Sequence, residues 1–175
     1  TGRSKGAWST HRAVVQGTMN YVGGTMVLLQ LATARGEAPK FPPATLMNVP
    51  LFHVTGEVPM LLQGFAMGRK LVMMRKWDAE EAMRLIEKEK ITYFTGVPLM
   101  SYEIAVHPKR GDYDLSSCTI MASGGAPRPA EHVTKIKQGM KEGGPGIGYG
   151  LTETNAVGWT NFSDNYIDKP DSTGT

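Results

Sequence analysis

Apolar and polar positions follow one another along this chain in blocks whose period changes, and the blocks read as alternating helices and strands. Near the start, Ser9 or Thr10 is placed to cap a helix. Met19, Val22, Met26 and Leu29 then recur three and four residues apart as an apolar stripe, although Gly17, Gly23 and Gly24 weaken the helical signal. Glu37 to Pro43 reads as a loop. Ala44 to Val49 suits a short buried strand ended by Pro50, and Gly56 to Gly68 suits an apolar helix flanked by glycines.

The alternation is clearest in the middle. Lys70 to Met74 reads as a strand, and Asp78 with Glu81 three residues on predicts a capping box at a helix start. Ala79, Ala82, Met83 and Ile86 form the buried face of that helix, and Glu80 precedes Arg84 by the four residues that suit an ion pair. Ile91 to Thr95 is a strand, Val97-Pro98 opens a helix to about Val106, and His107 to Ser116 is a polar loop. Cys118 to Ala122 is a strand, Pro129 starts a helix reaching about Met140, and Gly143-Gly144-Pro145 breaks it before a short strand from Gly146 to Tyr149. The last dozen residues are polar and are expected to be poorly ordered. This order predicts an α/β fold with a mostly parallel sheet flanked by helices. Such sheets bind ligands outside the carboxyl ends of their strands.

Composition narrows the function classes. The 175 residues suffice for one domain with a hydrophobic core. Glycine is abundant, 21 residues, and clusters in turns without a fixed period, which points to backbone that approaches a ligand closely. A net charge of +3 is too mild to imply nucleic acid. The single cysteine, Cys118, allows no internal disulfide and suits a reducing compartment such as the cytoplasm. No apolar run approaches the ~18 residues of a membrane span; Met26 to Ala34 is broken by Gln30 and Thr33. No apolar core follows Arg3 and Lys5, as a secretory leader would require.

Three segments could carry chemistry. Ile147-Gly148-Tyr149-Gly150-Leu151-Thr152-Glu153-Thr154 sets an aromatic ring, a flexible turn, a hydroxyl and a carboxylate in succession. Those groups suit a purine face, a close backbone approach, a phosphate oxygen and a magnesium ion. Ser123-Gly124-Gly125-Ala126-Pro127 lets main chain approach a flat ring, or is an ordinary strand-to-helix turn. Thr1-Gly2-Arg3-Ser4-Lys5-Gly6 offers amides, a hydroxyl and an ammonium just before a helix, which suits polyphosphate, or is a flexible terminus. His53 has no metal-ligand spacing with His107 or Cys118. Neither a glycine-x-serine-x-glycine elbow nor a Walker loop is present, which disfavours a hydrolase and a P-loop kinase.

Together these segments resemble the adenylate-forming superfamily, specifically the acyl-CoA synthetases. Thr1 to Gly6 is similar to the second half of that family's phosphate loop, with Ser4 where proline is usual. Pro50-Leu51-Phe52-His53-Val54-Thr55-Gly56 and Thr95-Gly96-Val97-Pro98 are similar to two further family elements, and Lys169 to Gly174 to a third, with Asp171 where glycine is common.

The resemblance implies activation of a carboxylic acid, expected to be a fatty acid, by ATP to an acyl-adenylate, and transfer to coenzyme A. It implies that Thr1, Gly2 and Lys5 hold the β- and γ-phosphates, and that Gly124, Gly125 and Ala126 lie beside adenine and the acyl chain. Tyr149 would stack on adenine beside Gly150 and Leu151, Thr152 would contact the α-phosphate, Glu153 would ligate Mg2+, and His53, Gly125 and Gly150 would line the acyl site. The family's ribose-binding aspartate, hinge and C-terminal lysine domain would follow Gly174, so residues 1–175 are expected to be one partial domain, inactive alone and open to self-association. A peptide-synthetase adenylation domain, a luciferase-like enzyme and a non-catalytic nucleotide- or acyl-binding module are the alternatives.

Overall fold

The computed structural model describes residues 2–140 and 143–174. Strands β1 (Ala44–Met47), β2 (Lys70–Met73), β3 (Tyr93–Gly96), β4 (Ile120–Gly124) and β5 (Gly144–Gly150) run parallel. Strand β6 (Gly158–Phe162) closes one edge antiparallel to β5, and the order across the sheet is β2-β1-β3-β4-β5-β6. Helices α4 (Ala79–Glu89), α5 (Pro98–Val106) and α6 (Ala130–Gly139) are the crossovers that follow β2, β3 and β4. The predicted α/β class and mostly parallel sheet are therefore what the chain forms.

Local chemistry sets the boundaries. Asp78 caps α4 by accepting the Glu81 N–H at 2.8 Å. The Glu81 carboxylate turns outward to Arg84, at 2.6 and 2.7 Å, instead of closing a capping box. Glu80 does not pair with Arg84 as expected; it reaches across to Lys109 at 2.8 Å and accepts from the Tyr113 hydroxyl at 3.0 Å. Lys90, in the left-handed region at φ 51°, ends α4, and the Ile91 N–H bonds back to Ile86 O at 3.1 Å. That bond is why β3 starts at Tyr93 and not at Ile91. Pro145 lies inside β5, where a break was expected. It pairs with Met121 of β4, while β6 joins only from Gly146 onward, so no ladder bond is lost for want of its N–H.

The main core lies on one face of the sheet. Leu46, Phe94 and Met121 from β1, β3 and β4 meet Ala82, Met83 and Ile86 of α4, Ile104 of α5 and Ile136 of α6, all buried. Cys118 is in this core, and burial pushes its thiol up to about 12, so it is an inert packing residue.

The remaining helices depart from expectation. Helix α1 (His11–Ala34) starts at Thr10, whose side chain accepts the Ala13 N–H at 3.1 Å. The predicted stripe is not its packed face: Met19, Met26 and Leu29 are exposed, and Gly17 and Thr18 are buried. Gly17 admits the Asn155 and Val157 side chains, and Gln63 fixes the rotation by donating to Tyr21 O at 2.8 Å and Thr25 Oγ1 at 2.7 Å. The expected 56–68 helix is a continuous rod of α2 (Val54–Gly56), a π-helical stretch (Glu57–Leu62) and α3 (Gln63–Ala66). The chain end, expected to lack order, folds as α7 (Ser163–Asp168), with Tyr166 fully buried; Asn161 then holds the tail by donating to Lys169 O and Ser172 O. No helix among the described residues is long and apolar enough to cross a membrane.

Truncating the α4 anchor tests this core. Ile86→Ala is expected to lose about 2–5 kcal/mol of unfolding free energy, read by urea denaturation, whereas the exposed Lys88→Ala is expected to stay within about 0.5 kcal/mol.

Candidate nucleotide site at the ends of two central strands

β4 and β5 are adjacent and parallel, with Gly124 opposite Gly148. The two glycine turns that follow them therefore leave the sheet side by side at its carboxyl edge. After β4, Gly125 sits at φ +78°, a left-handed conformation that favours glycine, and Gly125, Ala126 and Pro127 are exposed. After β5, Tyr149, Gly150 and Leu151 are exposed and lead into a 3-10 turn, Thr152–Thr154. A Cβ on Gly150 would lie 2.2 Å from Ala156 O, so only glycine fits where the chain doubles back.

The doubled-back segment is strained and braced. Asn155 and Ala156 are both left-handed, at φ 55° and 63°, a conformation that costs roughly 1–2 kcal/mol for a residue such as alanine. The Thr154 hydroxyl accepts from Leu151 N–H at 3.1 Å and donates to Val157 O at 2.6 Å. Ala156 N–H bonds to Leu151 O at 3.0 Å. From α1, the Tyr21 hydroxyl donates to Ala156 O at 2.5 Å, and Gly17 lets the helix pack against Asn155. Burial, with Tyr93 nearby, pushes the Tyr21 phenol up to about 12. The brace leaves the Thr152 and Glu153 side chains exposed, and neither forms a hydrogen bond or ion pair among the described residues.

Tyr149 does not stand alone. Trp159 lies directly opposite it on β6, with ring centroids 5.9 Å apart and planes at 45°, and both rings are about half exposed. Sequence reading passed over Trp159 because β6 carries no alternating pattern; only its aromatic character beside a glycine could have drawn notice. It also passed over Arg128, which follows the Gly124–Pro127 turn and is buried.

The other expected residues lie elsewhere. Residues 2–9 precede α1 without helix or strand, Gly2 is at φ +84°, and Arg3 and Lys5 are exposed without an ion partner among the described residues. Thr1 lies outside the described residues. No hydrogen bond among the described residues ties 2–6 to 149–153. His53 follows β1, which β3 separates from β4, so its segment leaves the same carboxyl edge two strands away. It caps α2: its Nδ1 accepts the Thr55 N–H at 3.1 Å, which leaves Nε2 as the protonated nitrogen of the neutral ring.

No group of three or more His, Cys, Asp or Glu among the described residues is placed to hold a metal. The lone Glu153 carboxylate still fits magnesium, which takes one or two carboxylates and completes its shell with water and substrate phosphate. The surface grooves beside α4, of about 320 and 470 Å3, are lined by residues such as Met73, Arg75 and Leu85, and Trp77 and Val106, away from these turns.

A family model described as AMP-binding enzyme matches residues 1–175. The chain is 31% identical over 157 residues to 4-coumarate-CoA ligase 1 of Narcissus pseudonarcissus, covering 90% of this chain and 27% of the relative. It is 32% identical over 165 residues to a long-chain-fatty-acid–CoA ligase of Bacillus subtilis, covering 93% and 27%. It thus spans about a quarter of the length of these curated relatives. Among solved structures, a fatty acyl-CoA synthetase of Mycobacterium tuberculosis superposes with a TM-score of 0.78 at 22% identity, over 99% of this chain and 32% of that one. A luciferase-like enzyme of the mealworm Zophobas morio gives 0.74 at 24% identity, over 95% and 37%.

The Tyr21 brace makes a pH prediction. A phenol whose folded pKa is raised contributes stability that is full below the unfolded pKa near 10 and is lost as pH rises through about 12. Tyr21→Phe is expected to remove one tyrosine titrating near pH 12 from the absorbance at 295 nm, and to flatten the alkaline loss of stability. An unchanged titration curve contradicts the buried hydrogen bond.

Proposed function

Because the chain belongs to the AMP-binding enzyme family, we propose that it is the central part of the nucleotide-binding domain of an ATP-dependent acid–CoA ligase. The observation that carries this reading is the pairing of β4 with β5. It brings a main-chain turn beside an exposed tyrosine, with an exposed hydroxyl and an exposed carboxylate three and four residues further on. That arrangement accepts a purine between ring and backbone, with phosphate and metal beyond it.

In the proposed reaction a substrate carboxylate oxygen attacks the α-phosphorus of ATP. An O–P bond forms, the bridging bond to the β-phosphate breaks, and pyrophosphate leaves. The thiol of coenzyme A then attacks the acyl carbon, loses its proton, and displaces AMP to give a thioester. Tyr149 and the backbone of Gly124, Gly125 and Ala126 hold adenine, while Gly150 and Leu151 keep the turn close to the nucleotide. The Thr152 hydroxyl donates to the α-phosphate, where charge builds in the transition state. Glu153 holds Mg2+, which supplies neutralising charge to the phosphates. Thr1, Gly2 and Lys5 take the β- and γ-phosphates, and His53, with Gly125 and Gly150, borders the acyl group.

Two observations support a longer parent protein. The chain spans about a quarter of its curated relatives. Helix α1 also exposes Val15, Met19, Met26, Val27 and Leu31, apolar side chains that a neighbouring part of a longer protein would cover. A fatty acid is the first substrate candidate, from the long-chain-fatty-acid–CoA ligase relative, and an aryl-acrylic acid the second, from the 4-coumarate–CoA ligases.

ATP–pyrophosphate exchange measured with a panel of fatty and aryl-acrylic acids separates these readings. The full-length protein is expected to show acid-dependent exchange, Thr152→Ala to lower kcat roughly 100-fold, and Glu153→Gln to raise the Mg2+ needed. The isolated 175 residues are expected to give none; exchange comparable to the full-length protein contradicts a partial domain. Saturable ATP binding by the full-length protein without exchange on any acid contradicts the ligase assignment.

A further inference from the structure

Arg128 follows immediately on the Gly124–Pro127 turn and is 7% exposed. Its guanidinium folds back over the turn. One terminal nitrogen donates to Ser123 Oγ, five residues earlier, and to Ser101 Oγ of α5 at 2.9 Å; the other donates to Gly146 O of β5 at 3.3 Å. Its Cζ lies 5.7 Å from the ring centre of Tyr166 in α7. Ser101 and Ser123 also bond each other at 3.1 Å. Among the described residues no carboxylate pairs with this cation.

A cation buried among neutral acceptors is a costly occupant. Its desolvation is offset by these hydrogen bonds and the face of the Tyr166 ring, with Nε left without a partner among the described residues, and an apolar side chain of similar length would fill the space without that cost. What an apolar side chain cannot do is hold three elements with one rigid fork. The bond from Arg128 to Ser123 brackets the turn between them, and the bond to Gly146 O fixes that bracket against β5, three residues before Tyr149.

We propose that Arg128 is a positioning residue that sets the Gly124–Ala126 turn opposite Tyr149 at the spacing a nucleotide base requires. It rests on the ligase reading, because the ligand between the turns is the nucleotide of that reaction. Arg128 touches no substrate. The staple acts mainly on the nucleotide side of the reaction: the acyl border shares only Gly125 with the turn, and His53 follows β1, two strands away from β4.

The test is steady-state ATP–pyrophosphate exchange by the full-length protein, wild type against Arg128→Met, Arg128→Lys and Ser123→Ala, with each variant's melting temperature. Losing a charged hydrogen-bond fork is expected to raise KM for ATP about tenfold in Arg128→Met, with a smaller rise, about threefold or less, in KM for the acid, which meets the turn only at Gly125. Arg128→Lys is expected to recover less than half of that loss, since one ammonium cannot serve three acceptors in a plane. Ser123→Ala keeps the cation and cuts the staple, so it raises KM for ATP in the same direction, and it decides the matter if Arg128→Met does not fold. An unchanged KM for ATP in the folded variants overturns the assignment, as does an equal rise for both substrates, the mark of a merely structural residue. Wild-type protein without exchange overturns the ligase reading and the assignment together; active wild type with unchanged variants overturns the assignment alone.

Discussion

The hydrogen-bonded register of β4 against β5, Gly124 opposite Gly148, is the constraint on which the rest depends. Parallel pairing sends both strands out of the sheet at one edge, so their turns must emerge as neighbours. A slip of one residue would reverse the face of Ile147, which packs with Val133 and Tyr166, so the core enforces the register that the site requires. Glycine at 124, 125, 148 and 150 keeps side chains out of the space between the turns, and Tyr149 supplies a large flat surface there, with the Trp159 ring beside it.

Around this pairing the molecule holds two expensive features: the consecutive left-handed residues Asn155 and Ala156, and the buried cation of Arg128. Each adjoins one of the two turns, and each is tied to distant chain, Ala156 to Tyr21 of α1 and Arg128 to Ser101 of α5. Strain and desolvation beside the two turns, each braced from outside them, suit a site that needs fixed geometry.

Much of this was legible in the chain, and the reasons differ by element. Helix α4 was readable because Ala82, Met83 and Ile86 keep helical spacing and Asp78 marks its start. The four inner parallel strands were readable as short uncharged runs, with ends misplaced where a hydrogen bond outside the strand, such as Ile91 to Ile86, decides the boundary. Helix α1 was located correctly and its face misjudged. Apolar spacing cannot say which partner a stripe meets, and the contacts made here run through Gly17, Thr18, Tyr21 and Thr25. Strand β6 and helix α7 escaped because a single buried residue, Asn161 or Tyr166, anchors each. The glycine turns announced themselves by composition, whereas Arg128 did not, because nothing in a one-dimensional pattern marks a charged residue as buried.

The central claim is that the two turns after β4 and β5 form one purine site. Photolabelling of the full-length protein with 8-azido-ATP, followed by peptide mapping, tests it most directly. Label on Tyr149 or within Gly124–Pro127, abolished by excess ATP, is the predicted result. Label protected by ATP but confined to peptides outside both turns would contradict it.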